Sequence, residues 1–263
     1  MGRWFGMAML AMLLANVPQL SAQRLTPEES KAFDRGDRES RAMITQFNCL
    51  NRMMTAVREK RLTASEKWVT SEQCVVIDRH YVYVMLASDT LYTRATRMSA
   101  YDLTTSAAYA VPLDTAGALS MARAEWLGMT KAGPRLEAAK RDAAPVTFRF
   151  DGDSIEVWLL PLQLMTGNPW SLGGEYGAIF SPDGRTLMRE VDHVEEFRSN
   201  AVADTGLVRI VSRQARIPSL SEFLQANQLN ALDRSVVIEL PWGSATLPKG
   251  LGSPWVQLVG KKP

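Results

Sequence analysis

The stretch VTFRFDGDSIEVWLL, Val146 to Leu160, decides the fold class of this chain. Its two arms are rich in β-branched and aromatic residues, which favour β-strands. Asp151 and Gly152 stand between the arms, and this pair supplies the positive φ angles that a tight hairpin turn needs. The stretch therefore predicts two neighbouring antiparallel strands whose pairing is determined locally.

A second hairpin is predicted around IFSPDGRTL, Ile179 to Leu187. Pro182 sets φ at the second turn position, and Gly184 suits the left-handed position of a bulged hairpin loop. We expect residues 175–180 to pair antiparallel with residues 186–197. The FSPDG segment resembles the hairpin of the β-propeller repeats in the TolB-like family. That family repeats the unit about every 40 residues, whereas this chain has one copy, so we expect a lone hairpin.

A long amphipathic helix is predicted near the N-terminus. Thr26 can cap the first turn, Pro27 fits the first helical position, and Glu29 can complete a capping box. Further along, apolar residues recur at intervals of four and three and form one stripe. The stripe favours packing against a sheet or another helix, although a methionine-rich stripe is also an adaptable surface for a partner. Its members are Met43, Phe47, Leu50, Met54 and Val57.

Strand and helix patterns also fill the region between this helix and the central hairpin. The segments CVVID and HYVYVMLAS, within residues 74–88, predict strands, and DRH between them is either a turn or part of one long bent strand. Another hairpin is expected with arms at residues 97–103 and 108–113. Helices are expected over residues 116–129 and 135–142, with KAGP as the break between them.

The last third of the chain adds three strands and a short helix. GLVRIVSRQA, SVVIELPWG and PWVQLVG predict the strands, and SLSEFLQANQLNAL predicts a helix capped by Ser219 or Ser221. Strands and helices do not alternate regularly, so a doubly wound parallel sheet is not expected. The predicted fold class is α+β: antiparallel sheet or sheets built from hairpins, a long N-terminal amphipathic helix, and two or three further helices.

The N-terminal residues have the pattern of a secretory signal peptide. Arg3 supplies a positive charge, residues 4–17 are almost wholly apolar, and Pro18 ends the run. Ala22 offers a small residue before a plausible cleavage point. A retained membrane anchor is the alternative, but a spanning helix needs about 20 apolar residues. We therefore expect residues 1–22 to be removed and the product to be periplasmic or secreted.

The composition describes an ordinary globular product of about 240 residues. We expect one domain over residues 23–263, with two possible halves at 23–142 and 143–263. Loss of Arg3 leaves 29 basic and 28 acidic side chains, and no basic stripe predicts a nucleic-acid partner. No phosphate-binding glycine motif is present, so no cofactor is expected. The expected partner is an unidentified protein or small molecule of the cell envelope, without stable membrane insertion after signal cleavage.

The chain contains two cysteines, Cys49 and Cys74. In an oxidising compartment an even pair favours one disulfide bond, which would join the long helix to the first strand. Two separate buried thiols are the alternative.

The segment EVDHVEE holds the one cluster of candidate metal-binding or acid–base residues, among them Asp192, His193 and Glu196. Glu190 and His193 have the E-x-x-H spacing of di-iron bundles, but such sites need two copies on facing helices. On a strand, Glu190, Asp192 and Glu196 would share a solvated face, with His193 on the other. His80, the second histidine, begins an apolar strand and is interpreted as a strand-end residue.

Tryptophans after proline form the second candidate site. Trp170, Trp242 and Trp255 each follow a proline at a loop or strand edge. Packed apolar corners are the ordinary interpretation, and an aromatic rim for a ligand or sugar is the alternative.

The segments IEVWLLP, SLGGEYGAIFSPDGRTLMREVDHVEEF and IPSLSEFLQ, in this order, resemble uncharacterised exported proteins of proteobacteria. The resemblance covers residues 153–225 and implies export, with no activity to carry over. Two hypotheses of function follow. The first is a non-catalytic envelope module that binds a ligand or partner. The second is a periplasmic hydrolase or metal-assisted enzyme that uses Glu190, Asp192, His193 and Glu196.

Overall fold

The computed structural model describes residues 25–59, 67–108, 114–152, 154–161, 170–200, 207–212, 214, 216–241, 243–250 and 255–259. The predicted signal peptide, residues 1–22, lies outside these ranges. Within them, no helix combines the length and the apolar composition needed to cross a bilayer.

Three α-helices are formed by the described residues, and the first is much the longest. They are α1 (Pro27–Arg58), α2 (Thr115–Ala138) and α3 (Leu220–Ala231). At the start of α1 the backbone N–H of Glu29 donates to the Thr26 hydroxyl, and the Thr26 N–H donates to the Glu29 carboxylate. The predicted capping box is therefore confirmed, with Pro27 in the first turn.

The first sheet is an antiparallel meander in chain order. Its strands are β1 (Ser71–Ile77), β2 (His80–Ser88), β3 (Ala95–Asp102) and β4 (Ala107–Ala108). Asp78 and Arg79 both have positive φ between β1 and β2, so the DRH segment contains a two-residue turn. The predicted arm at residues 108–113 is described only at its first residue, because residues 109–113 lie outside the described ranges.

The second sheet contains the central hairpin. The strands of this region are β5 (Ala143–Phe150), β6 (Ser154–Pro161), β7 (Trp170–Leu172), β8 (Tyr176–Phe180), β9 (Leu187–Asp192) and β10 (Arg198–Asn200). The sheet order is β5-β6-β8-β9 with every pair antiparallel, while β7 pairs with β10. Asp151 and Gly152 have φ of 52° and 75°, as the predicted turn requires. Every residue of β6 is buried, so this strand forms the centre of the fold.

The third sheet has one parallel pair. Its strands are β11 (Leu207–Val211), β12 (Ser235–Leu240), β13 (Gly243–Leu247) and β14 (Val256–Val259). Strands β11 and β12 run parallel because α3 connects them as a crossover. The other two pairs are antiparallel. The fold class is thus α+β with antiparallel sheets, as predicted, and β11 with β12 is the one parallel pair among the described strands.

Helix α2 corrects the prediction of two helices over residues 116–129 and 135–142. It continues through Pro134, although proline removes a backbone donor from a helix interior. Ala132 and Leu136 lie on either side of Pro134, and both are buried in the core against the second sheet. Burial of this helix face outweighs the missing hydrogen bond, so the proline does not end the helix.

Strand β9 is shorter than the predicted strand over residues 186–197. It ends at Asp192, whose carboxylate accepts a hydrogen bond from the Val194 N–H. Residues Val194–Glu196 then form a 3-10 turn closed by the His193 carbonyl. The local side-chain hydrogen bond of Asp192 favours a turn over further strand pairing, so Glu196 does not share a strand face with Glu190.

Helix α1 packs against the second sheet and against α3, which covers the third sheet, through aromatic and apolar residues. The rings of Phe33 and Phe223 meet edge to face with centroids 4.9 Å apart. Gly36 makes this close packing possible, because a Cβ there would overlap the Phe223 ring. Further along the helix, Met43 joins the cluster around Trp158. The long helix is therefore shared by the cores of both sheets.

A disulfide joins Cys49 of α1 to Cys74 of β1 across a sequence separation of 25 residues. Both cysteines are buried. The predicted pairing is confirmed, and the alternative of two separate thiols is excluded.

Gly184 in the SPDG turn faces helix α2. It has φ of +71°, and an added Cβ would overlap the Ser120 carbonyl oxygen. Gly152 has a similar φ of +75°, with nothing within 4 Å of an added Cβ. We expect Gly184→Ala to reduce the free energy of unfolding by about 2 kcal/mol more than Gly152→Ala, because only the first adds a steric overlap to the backbone strain. Chemical denaturation of both variants measures the difference, and equal losses would contradict it.

Candidate functional site

The predicted acidic cluster is divided between two faces of the fold. Glu190 Oε2 lies 3.1 Å from Lys131 Nζ, and Asp192 pairs with Arg135. Both basic residues belong to α2. Glu190 and Asp192 therefore link β9 to α2. Their charge partners are the basic residues of α2, and neither carboxylate pairs with His193 among the described residues.

His193 pairs with a carboxylate that the sequence analysis did not single out. Its Nδ1 lies 3.0 Å from Oε1 of Glu175, a residue with no exposed surface. The hydrogen bond to Glu175 raises the pKa of His193, and the nearby charges of Glu196 and Glu222 act in the same direction. Nε2 has no hydrogen-bond partner among the described residues. A carboxylate-oriented imidazole of this kind can accept or release a proton.

The residues predicted to bind a metal do not converge. Asp192 is held by Arg135, and Glu196 accepts a hydrogen bond of 3.3 Å from Gln214. In the described ranges no three His, Cys, Asp or Glu side chains come together as a metal site. His80, the other histidine, is bound through Nδ1 to Asp102 at 2.7 Å.

A cleft of about 230 Å³ opens beside His193, and Arg35, Glu39 and Arg189 contribute to its walls. In this wall, Arg35 forms ion pairs with two carboxyl groups. Its Nε is 2.6 Å from Glu39 Oε1, and its Nη2 is 3.0 Å from Glu156 Oε1. Arg189 lies 3.5 Å from the same Glu39 oxygen. Every carboxyl group of this cluster thus has a basic partner, and the cluster connects α1 to β6 and β9.

Glu156 is the most perturbed acid of this cluster. Burial raises its pKa to about 7, and the neighbouring Glu39 carboxylate adds to the increase. Trp158, whose Nε1 donates to Glu156 Oε2 at 2.9 Å, and Arg35 oppose it. The Glu156 carboxyl group therefore favours its protonated form, since it is removed from water and lies close to a second carboxylate.

One of the three candidate tryptophans is fully described, and it is packed. The Trp255 ring contacts Phe33 and Phe223 edge to face, and its Nε1 donates to Asp37 at 2.8 Å. Trp242 and the side chain of Trp170 lie outside the described residues. The contacts of Trp255 fit the interpretation as a packed corner, and the aromatic rim stays a prediction.

The described residues also form a mainly apolar chamber of about 430 Å³. It lies between α1, α2, the edge strand β1 and the edge strand β5, where the first sheet meets the rest of the fold. Cavities of this size and apolar character are typical of small-molecule sites. The apolar lining includes Ala42, Val75, Val84, Ala118, Met121 and Phe148.

Two glutamines are the buried polar side chains of the chamber lining. Gln73 is 5% exposed and Gln46 is 7% exposed. The Gln73 Nε2 donates to the Ala118 carbonyl at 2.8 Å, and the Gln46 Nε2 donates to the Cys74 carbonyl. The Gln73 Oε1 is buried and has no hydrogen-bond partner among the described residues. Both amides are therefore oriented by the hydrogen bonds that their N–H groups donate.

Arg149 brings a charged group to the edge of the chamber, but its guanidinium is already engaged. Its Nη1 donates to the Pro182 carbonyl at 3.2 Å, and its Nη2 lies 3.4 Å from the Gly117 carbonyl. The chamber is thus mainly apolar.

Comparisons of the chain with protein-family models, curated proteins and solved structures find no match. The chamber residues were also missed by sequence analysis, since they come from five separate elements, α1, α2, β1, β2 and β5. A weak signal for them exists at Gln46, a polar residue that follows the helical stripe residue Met43 by three positions. Such a residue on the packed side of a helix indicates a buried polar contact.

Proposed function

We propose that the mature protein is an exported, non-catalytic module that binds one small, mainly apolar molecule in the chamber. The observation that carries this proposal is the chamber itself, about 430 Å³ in volume and walled by α1, α2, β1 and β5. Pockets for small ligands usually have volumes of about 300 to 1,000 Å³ and few polar groups. Burial of an apolar ligand there would supply the binding free energy.

Export is part of the proposal. Residues 1–22 have the pattern of a cleaved signal peptide. The Cys49–Cys74 disulfide supports the same compartment, because disulfides persist in oxidising environments such as the periplasm and the cell exterior. A binding module outside the cytoplasm needs neither a nucleotide motif nor a catalytic cluster, consistent with a sequence that lacks a phosphate-binding glycine motif.

Filling the chamber tests the proposal. Ala118 lines the chamber on α2, whereas Ala116 on the same helix is exposed and does not line it. We expect Ala118→Phe to weaken binding of the neutral fluorescent probe N-phenyl-1-naphthylamine about tenfold or more, because the new ring would occupy the ligand volume. Ala116→Phe should bind the probe like the unmodified protein.

Fluorescence titration measures both affinities, and thermal unfolding shows that each variant is folded. Equal probe binding by the two variants, or no saturable binding by the unmodified protein, would refute the chamber as the ligand site.

A further inference from the structure

We infer that the ligand of the chamber is a short peptide with apolar side chains, bound in extended conformation as an additional strand between β1 and β5. The inference rests on the proposed function and names the ligand class of the same site. Each of the two strands is the edge of its own sheet, since the sheet orders are β1-β2-β3-β4 and β5-β6-β8-β9. An edge strand has backbone N–H and C=O groups without a ladder partner, and extended peptides bind proteins by pairing with such groups.

Helices α1 and α2 cover the two faces of β1. Cys74 is joined to Cys49 of α1 by the disulfide, whereas the preceding residue, Gln73, donates through Nε2 to the Ala118 carbonyl of α2. Consecutive residues of a strand point to opposite faces, so the two helices lie on opposite sides of β1. The consecutive residues 75–77 all line the chamber, which indicates a cavity at the strand edge and not on one face. Because β2 occupies the other edge, the free edge of β1 faces the chamber.

Strand β5 is arranged in the same way. Thr147 donates through Oγ1 to Glu125 of α2 at 2.6 Å, and the next residue, Phe148, packs in the cluster that contains Met43 of α1. Phe148 and Arg149 are consecutive and both line the chamber, while β6 occupies the other edge of the strand. The two strands therefore lie in one layer between α1 and α2, and the chamber separates their free edges.

The register shows which backbone groups β1 directs away from β2. Ile77 and His80 flank a two-residue turn, so they hydrogen-bond to each other. Because this orientation alternates along an antiparallel strand, Val76 and Cys74 direct their backbone groups to the free edge. The Cys74 carbonyl agrees with this, since it accepts a hydrogen bond from Gln46 of α1. Val76 lines the chamber, and its N–H and carbonyl have no hydrogen bond to the described residues.

A proline identifies the outward positions of β5. Pro145 has no backbone N–H, and within a sheet proline occupies positions whose N–H would point away from the ladder. Thr147 and Arg149 follow at intervals of two, so their backbone groups also point away from β6. These groups have no hydrogen bond to the described residues. Arg149 lines the chamber, and the other two residues line an adjoining cavity of about 100 Å³.

Both sides of the gap thus offer unpaired donors and acceptors, which a peptide backbone can satisfy and a hydrocarbon cannot. A strand in the gap would direct alternate side chains towards α1 and α2. The lining includes Ala42 from α1 and Ala118 and Met121 from α2. The chamber therefore favours a peptide whose side chains are small and apolar on both faces.

N-methylation of a peptide tests the backbone pairing. We would titrate the unmodified protein by calorimetry with acetyl-Val-Ala-Val-Ala-amide and with the same peptide N-methylated at all four residues. The methyl groups remove the N–H donors of these residues and add apolar surface, so hydrophobic burial alone predicts equal or tighter binding. We expect the N-methylated peptide to bind at least tenfold more weakly, because two or more hydrogen bonds are lost.

Two substitutions of Val76 test the edge of β1. Val76→Pro removes the N–H that points away from β2 and leaves the ladder with β2 intact, and edge positions tolerate proline. Val76→Ala keeps the N–H and is the matched control. We expect Val76→Pro to bind the unmethylated peptide about fivefold more weakly than Val76→Ala does. Thermal unfolding checks that both variants are folded, and both should bind N-phenyl-1-naphthylamine alike.

Equal or tighter binding of the N-methylated peptide would overturn the inference, and so would equal affinities of the folded Val76→Pro and Val76→Ala variants for the unmethylated peptide. If Val76→Pro does not fold, the comparison of the two peptides decides. If neither peptide binds while N-phenyl-1-naphthylamine binds and Ala118→Phe blocks it, the chamber remains a binding site and only the ligand class is wrong. If neither the probe nor the peptides bind, the proposed function fails as well.

Discussion

Replacing both Cys49 and Cys74 with alanine is expected to lower the free energy of unfolding by about 3 kcal/mol. The disulfide closes a loop across 25 residues, and the chain-entropy model gives a stabilisation of this size because the bond restricts the unfolded chain. For a protein of this size, such a loss corresponds to a decrease in melting temperature of about 6 to 12 °C. Thermal and denaturant unfolding of the double variant measure the effect.

Reduction provides the control for this prediction. A reducing agent should lower the melting temperature of the unmodified protein and leave that of the double alanine variant unchanged. If both proteins respond alike, or if the variant is as stable as the unmodified protein, the disulfide is not an important source of stability.

The disulfide also belongs to the architecture of the chamber. Cys74 is in β1, and its carbonyl accepts the hydrogen bond that orients Gln46 of α1. The disulfide holds β1 against α1 at this point, and both elements line the chamber. We therefore expect stability and ligand binding to be linked in this protein, since a ligand that binds only the native state adds to its stability.

Much of the fold could be predicted because its signals are local. The Asp151-Gly152 turn, the capping box of Thr26 and Glu29 and the Ser219 cap of α3 each depend on a few consecutive residues, and each is confirmed. The errors occurred where tertiary packing competes with a local signal. At Pro134, burial of the surrounding helix face prevails over the loss of one backbone donor.

The chamber and the charged cluster could not be predicted in the same way. Glu175 and His193 are 18 residues apart, and they meet because β8 and β9 pair in one particular register. Glu39 and Glu156 come from the first helix and the central strand, and no spacing in the sequence relates them. Contacts of this type depend on the arrangement of whole elements, which local patterns do not specify.

Glu156 leads to the second large prediction, a loss of stability as the pH rises. Its pKa is raised from 4.5 to about 7 in the folded protein. Because the folded state holds this proton more tightly than the unfolded chain, the stabilisation is complete below about pH 4.5 and is lost as the pH rises through about 7. We expect the free energy of unfolding to fall by about 2 kcal/mol between pH 5 and pH 8 from this group.

Glu156→Gln isolates this contribution from that of His193. The raised pKa of His193 acts in the same direction, since its protonated form is also favoured in the fold. A glutamine at position 156 cannot ionise, so the variant should lose about 2 kcal/mol less than the unmodified protein between pH 5 and pH 8. Denaturant unfolding at both pH values measures this difference, which does not depend on how well the glutamine packs. Glu137→Gln, at an exposed position of α2, is the control and should follow the unmodified protein. An unchanged pH dependence in Glu156→Gln would mean that Glu156 is ionised in the fold at both pH values, with Arg35 and Trp158 compensating fully for its burial.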